Sequence, residues 1–190
     1  MYKPGDNLIL AAVGMRRKNL IVLEVDVYLI GLSLSPTALG DAKLWKSQEK
    51  TCDPLAEILL QKQTPRSSSN DNEIIVSISL KFVRSVTKPQ MVQAFQEALL
   101  GCSKDATAEF NEALDRCIDR EKGLQKGDVL NFEWTTGGGF VVSSDQHVSR
   151  EIVDVGLAQR LLEVYVDDSR TVSVDLVKCI RDHVDQIQVA

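Results

Sequence analysis

The sequence predicts an α+β domain, a mainly antiparallel sheet with helices layered on one of its faces. Three observations predict it. Two runs rich in Val, Ile and Leu, from Leu8 to Met15 and from Leu20 to Leu32, flank the polar Arg17-Lys18-Asn19, as paired strands flank a turn. From Glu73 to Val83, apolar and polar residues alternate with a period of two, the pattern of a half-buried strand. From Pro89 onward, Met91, Val92, Phe95, Ala98 and Leu99 recur at three- and four-residue intervals, the pattern of an amphipathic helix.

In the second run, Ile21, Leu23, Val25, Val27 and Leu29 share one face, read as the core face. Val22, Glu24, Asp26, Tyr28 and Ile30 share the other. Pro36 opens a helix reaching Trp45, and Asp53-Pro54 a shorter one ending near Leu60. Gln61 to Asn72, with three consecutive serines, reads as a loop. In the alternating strand, Ile74, Val76, Ile78, Leu80 and Phe82 face one way, and Ser77, Ser79 and Lys81 the other. Gly101 stops the helix that Pro89 starts. Asp105 is the expected cap of the next, whose stripe is Phe110, Ala113, Leu114 and Cys117. Asp128 to Thr136 and Phe140 to Ser144 form a hairpin turned by Gly137-Gly138-Gly139. No helix opening on Lys-Ser or Lys-Thr follows these glycines, as a nucleotide cradle requires. A short strand is expected near Val148 to Ile152. Asp154 caps a helix carrying Ala158, Leu161, Leu162 and Tyr165, and Ser173 caps another carrying Leu176, Val177, Ile180 and Val184.

With 190 residues, 44% of them hydrophobic, the chain suits one domain over residues 1–190 with one core. Lys and Arg number 22 against 27 Asp and Glu, which leaves no positive field for a phosphate backbone, so no nucleic-acid partner is expected. No apolar run approaches the ~20 residues that cross a bilayer, so a soluble protein without a membrane span is expected. The start, Met-Tyr-Lys-Pro-Gly, shows no signal core; the compartment is cytoplasmic on the sequence as given, or organellar after removal of a leader. Cys52, Cys102, Cys117 and Cys179 stand apart, with only His147 and His183 to join them. They read as buried reduced thiols, and no metal site is expected. Glu24 and Asp26 resemble an acid/base pair only in spacing and are expected in solvent.

Gly14-Met15-Arg16-Arg17-Lys18 followed by Val27-Tyr28-Leu29-Ile30-Gly31-Leu32 resembles the opening strands of chalcone isomerase and its fatty-acid-binding relatives. Leu80 through Thr87 is similar to that family's central strand, and Phe132 through Val142 to its hairpin. Gly156 through Val166, with Val172-Ser173 and a last helix, completes the order. The resemblance implies an open-faced β-sandwich, a large antiparallel sheet covered by helices around a cleft for an amphipathic ligand, and no cofactor.

In true chalcone isomerases, the resemblance implies an arginine and a threonine on the opening strands, a tyrosine and an asparagine on the helix after the central strand, and a later Ser or Thr. The arginine position falls on Arg16, whose planar cation suits a carboxylate, enolate or phenolate oxygen. The threonine position falls on Tyr28, as in the fatty-acid-binding relatives, whose Arg and Tyr hold a carboxylate. The tyrosine and asparagine positions fall near Met91 and Ala98, which donate no hydrogen bond. The later position falls on His147, or on Ser143, Ser144 or Ser149.

The expected function is therefore non-catalytic binding of a fatty acid or similar amphipathic carboxylate. Arg16 and Tyr28 are the head-group anchors, and Met91, Phe95 and Ala98 line the acyl chain, each buried methylene contributing ~0.8 kcal/mol. The alternatives are a chalcone-flavanone isomerase acting on a phenolic enone through Arg16 and Tyr28, and an interaction protein assisting a partner enzyme. A monomer is expected.

Overall fold

The computed structural model describes residues 7–20, 23–47, 54–61, 73–119, 121–145, 147–167 and 170–188. Five antiparallel strands stand in sequence order: β1 (Ile9–Leu20), β2 (Leu23–Leu34), β3 (Ile74–Phe82), β4 (Val129–Thr135) and β5 (Phe140–Ser144). The helices are α1 (Pro36–Ser47), α2 (Leu55–Gln61), α3 (Lys88–Ala98), α4 (Lys104–Cys117), α5 (Val155–Val166) and α6 (Val174–His183), with a 3₁₀ turn at Val184–Gln186. The α+β class holds. Asp53 and residues 62–72 of the serine loop lie outside the described residues, as does Cys52.

The register explains which face is covered. Tyr28, Ile30, Leu32 and Leu34 stand opposite Phe82, Leu80, Ile78 and Val76, and all eight are buried. Leu130, Phe132 and Trp134 continue the same face. Residues directly opposite in an antiparallel pair share a face, so the core face of β2 is the even one. This reverses the expectation that the odd face is the core face: Leu29 is 42% exposed, although Val27 still packs against the core. Glu24 and Asp26 sit on the even face and Gly31 and Ser33 on the odd one, so alternation within β2 does not choose the buried face. Pairing with β3 does, because β3 is apolar on one face only.

The first hairpin also differs from expectation. Arg17, Lys18 and Asn19 belong to the strand, opposite Asp26, Val25 and Glu24, and β1 runs on to Leu20. The Arg17–Asp26 pair, at 3.2 Å, shows how: charged residues tolerate an exposed two-stranded ribbon when opposite charges face each other. Glu24 and Asp26 are exposed, as expected.

The helices start where local chemistry satisfies free amides. Thr87 and Gln90 form a reciprocal capping box on α3, Asp154 accepts from Leu157 N at 2.7 Å on α5, and Ser173 caps α6. For α4 the cap is Ser103 rather than Asp105, accepting from Ala106 N at 3.1 Å, which leaves Asp105 in the first turn near the positive end of the helix dipole. Gly138 takes a positive φ of 79° in the β4–β5 turn. The expected strand at Val148 to Ile152 is two isolated bridges, Ser143–Val148 and Phe140–Ile152. The Ser149 hydroxyl takes the Val142 N–H at 2.9 Å, so a side chain occupies a ladder position.

Between sheet and helices lies an aromatic cluster. Phe95 meets Phe110 and Phe132 edge-on at 5.2 and 5.4 Å between ring centres, geometry that suits the ring quadrupoles. Phe132 in turn lies 6.3 Å from Tyr165 of α5. The Trp134 indole N–H donates to Ala158 O at 2.9 Å, tying β4 to α5. Cys117 is buried, while Cys102 and Cys179 are only half-buried.

Candidate functional site

Arg16 and Tyr28 stand directly opposite each other on β1 and β2. They share the covered face, in line with the buried pairs Gly14–Ile30 and Ala12–Leu32. The register shifts immediately after Arg16, and such an irregularity re-aims side chains. Both neighbouring arginines reach the start of α6. Arg17 meets Asp175 at 2.8 Å and Asp26 at 3.2 Å. Arg16 donates its Nη1 to the Val172 carbonyl at 3.0 Å, and among the described residues no carboxylate lies within ion-pair distance of it. One guanidinium is neutralised in solvent. The other is half-buried and keeps its charge available, which is the condition for anion binding.

The Tyr28 ring packs on Phe82 at 5.3 Å. Its hydroxyl is pushed up to about 12, first by burial, which the Arg16 charge and the Tyr165 hydroxyl only partly oppose. Tyr165 is raised well above the ordinary tyrosine value, again by burial first, then by Tyr28. At neutral pH both are therefore neutral hydroxyls, hydrogen-bonded to each other, so that one proton of the pair is left for an anion. Tyr165 is the site residue that the sequence pattern did not single out. It sits on the apolar stripe of α5 with Ala158, Leu161 and Leu162, and a tyrosine at a core position carries no mark of function until its neighbours are known.

The linkage is testable. Below pH 10 the folded and unfolded chains both keep the Tyr28 proton. Above it the unfolded chain releases the proton at its ordinary value of 10.0, while the folded protein holds it to about 12. The folded state then binds more protons, so stability falls as pH rises through that window. Urea midpoints at pH 9, 10 and 11 should decline more steeply for wild type than for Tyr28→Phe; equal slopes would remove Tyr28 from the account.

Met91 and Phe95 point inward from α3 at 3% and 5% exposure, and Ala98 is half-buried. Phe95 joins the tyrosines through Phe132. A cavity of about 490 Å³ lies elsewhere, between the α3–α4 turn and α5, lined by Leu100, Cys102, Asp154, Leu157, Arg160 and Glu163. Of the positions named for a later Ser or Thr, Ser143 is buried on the face opposite Arg16, paired with Asn131. His147 is exposed, and the Ser149 hydroxyl is bound to Val142 N and Arg150 O. Ser144 shares the covered face, opposite Leu130.

Comparison with known proteins bears on the fold and the family. The structure resembles the crystal structure of a fatty-acid binding protein of Arabidopsis thaliana, with a TM-score of 0.68 and 18% identity over 96% of this chain and 91% of that one. At that identity the likeness speaks for the fold. Among curated proteins no sequence matches. A family model described as chalcone isomerase-like matches residues 59–173, more than half of the chain, from α2 through the Arg16 contact at Val172 to Ser173. With the order of strands, the glycine-turned hairpin and the Arg16–Tyr28 pair already in place, that match shows that the chain belongs to the chalcone isomerase-like family.

Proposed function

We propose that this protein binds a fatty acid, or an amphipathic carboxylate like it, without transforming it. The observation that carries the reading is the Arg16–Tyr28 pair on the covered face, with the Tyr165 hydroxyl beside it and, among the described residues, no carboxylate within ion-pair distance of Arg16. One cation and the neutral Tyr28 hydroxyl, itself hydrogen-bonded to Tyr165, suit a single carboxylate head group. The fatty-acid binding protein with the same fold supports the choice of ligand.

The acyl chain follows the aromatic path from Tyr165 through Phe132 to Phe95 and Met91, with Ala98 at its far side. That interior is filled in the described state, so the chain enters by displacing α3. This helix buries only Met91 and Phe95, whereas α5 buries seven residues. It is the layer that separates from the sheet with the least loss of apolar burial. Met91 adapts its shape readily. A chain of about twelve carbons gains ~0.8 kcal/mol for each methylene it buries, which offsets the displaced contacts.

Met91 and Ala98 offer no hydrogen bond to developing charge, which speaks against the isomerase reading. The test is native mass spectrometry of the purified protein with a series of saturated fatty acids and the matching alcohols. The expected result is one molecule bound, with affinity rising with chain length and favouring acid over alcohol. Failure to retain any acid would overturn the proposal. Turnover of a chalcone would put the isomerase reading in its place.

A further inference from the structure

We infer that Thr171 is a positioning residue for the carboxylate anchor. The inference rests on the head-group reading above. Thr171 lies in the α5–α6 connection, and its hydroxyl is a small hub. It accepts the Ser173 N–H at 3.0 Å, and its single proton is shared between the Tyr165 carbonyl at 3.1 Å and the Ser173 carbonyl at 3.0 Å. The residues on either side of this hub are the ones that hold the site. Val172, next in the chain, offers the carbonyl that Arg16 grips at 3.0 Å, while its own N–H donates to Val164 O at 2.9 Å. Ser173 donates its hydroxyl to Met15 O at 2.9 Å, one residue from Arg16.

The strap 171–173 thus joins the end of the helix that carries Tyr165 to the strand that carries Arg16. Without the Thr171 hydroxyl, the Tyr165 carbonyl and the Ser173 amide lose a shared partner, and the Val172 carbonyl is no longer held at one angle to Arg16. The guanidinium then samples more orientations, and a planar fork that must meet a planar carboxylate loses affinity when its aim spreads. Of this chain of contacts only Tyr165 lies on the acyl path, at its head-group end, and Thr171 meets it through the backbone carbonyl. The effect therefore belongs to the head group, which separates positioning from general loosening of the fold.

The experiment measures dissociation constants for laurate and for dodecanol with wild type, Thr171→Val and Thr171→Ser. Valine keeps the shape and removes the hydroxyl; serine keeps the hydroxyl. The expected result is a five- to tenfold loss of laurate affinity in Thr171→Val, dodecanol affinity within twofold of wild type, and laurate binding restored within twofold by Thr171→Ser. Equal laurate binding by wild type and Thr171→Val would overturn the inference, as would parallel loss of both ligands or failure of serine to restore binding. If wild type itself ignores laurate while taking up dodecanol, the head-group reading falls and this inference with it.

Discussion

Arg16→Ala is expected to lose roughly ten- to a hundredfold in affinity for laurate while keeping most of its affinity for dodecanol. The size follows from removing one or two charge-assisted hydrogen bonds of about 1.5–3 kcal/mol. Arg17 cannot substitute, because Asp26 and Asp175 already hold it. Arg16→Lys should recover only part of the loss, since an ammonium cannot meet both carboxylate oxygens as a planar fork does. The mutation also removes the bond to Val172 O, which costs about 1 kcal/mol of stability. A thermal melt beside the binding isotherm separates the two effects. If laurate and dodecanol weaken by the same factor, Arg16 is a structural residue and not the anchor.

Gly14→Ala is expected to be the most damaging small substitution on the sheet. A Cβ there would lie 2.6 Å from both the Cβ and the N of Leu176, and 2.7 Å from its Cα. The obstacle is the backbone of α6, which cannot rotate away as a side-chain tip can, so the helix has to shift. Overpacking of this kind costs about 3 kcal/mol, a drop of roughly 6–12 °C in Tm for a chain of this size. The start of α6 also carries Ser173, next to the carbonyl that meets Arg16, so laurate affinity should fall with stability. Gly40→Ala is the control. Gly40 lies within α1 with nothing within 4 Å of its would-be Cβ, and there alanine should stabilise by about 0.5–1 kcal/mol. A Gly14→Ala protein as stable as wild type would show that α6 does not approach β1 so closely.

Both predictions depend on contacts between residues 156 or more positions apart in sequence, and that marks the limit of sequence reading. The helix caps Asp154 and Ser173, the helix start at Pro89, and the apolar face of β3 were legible because each depends on residues within one or two turns. The cap of α4 was misplaced by two residues because Ser103 and Asp105 are both good cap types. Arg16 and Tyr28 became candidates through family resemblance, since within their own strands they look like a surface charge and an interfacial tyrosine.

By itself, the sequence determined the α+β class, the starts of α1, α3, α5 and α6, the inward face of β3 and the glycine turn of the β4–β5 hairpin. These follow from local periodicity and backbone chemistry. Tertiary structure alone decided which face of β2 is buried, because that strand carries polar residues on both sides and only β3 breaks the tie. It also decided that Arg17 pairs with carboxylates while Arg16, among the described residues, meets the Val172 carbonyl instead, and that Tyr165 arrives beside Tyr28. Those outcomes depend on register and on where a helix lands, and the energies that set them come from packing between segments remote in the chain, which no local pattern records.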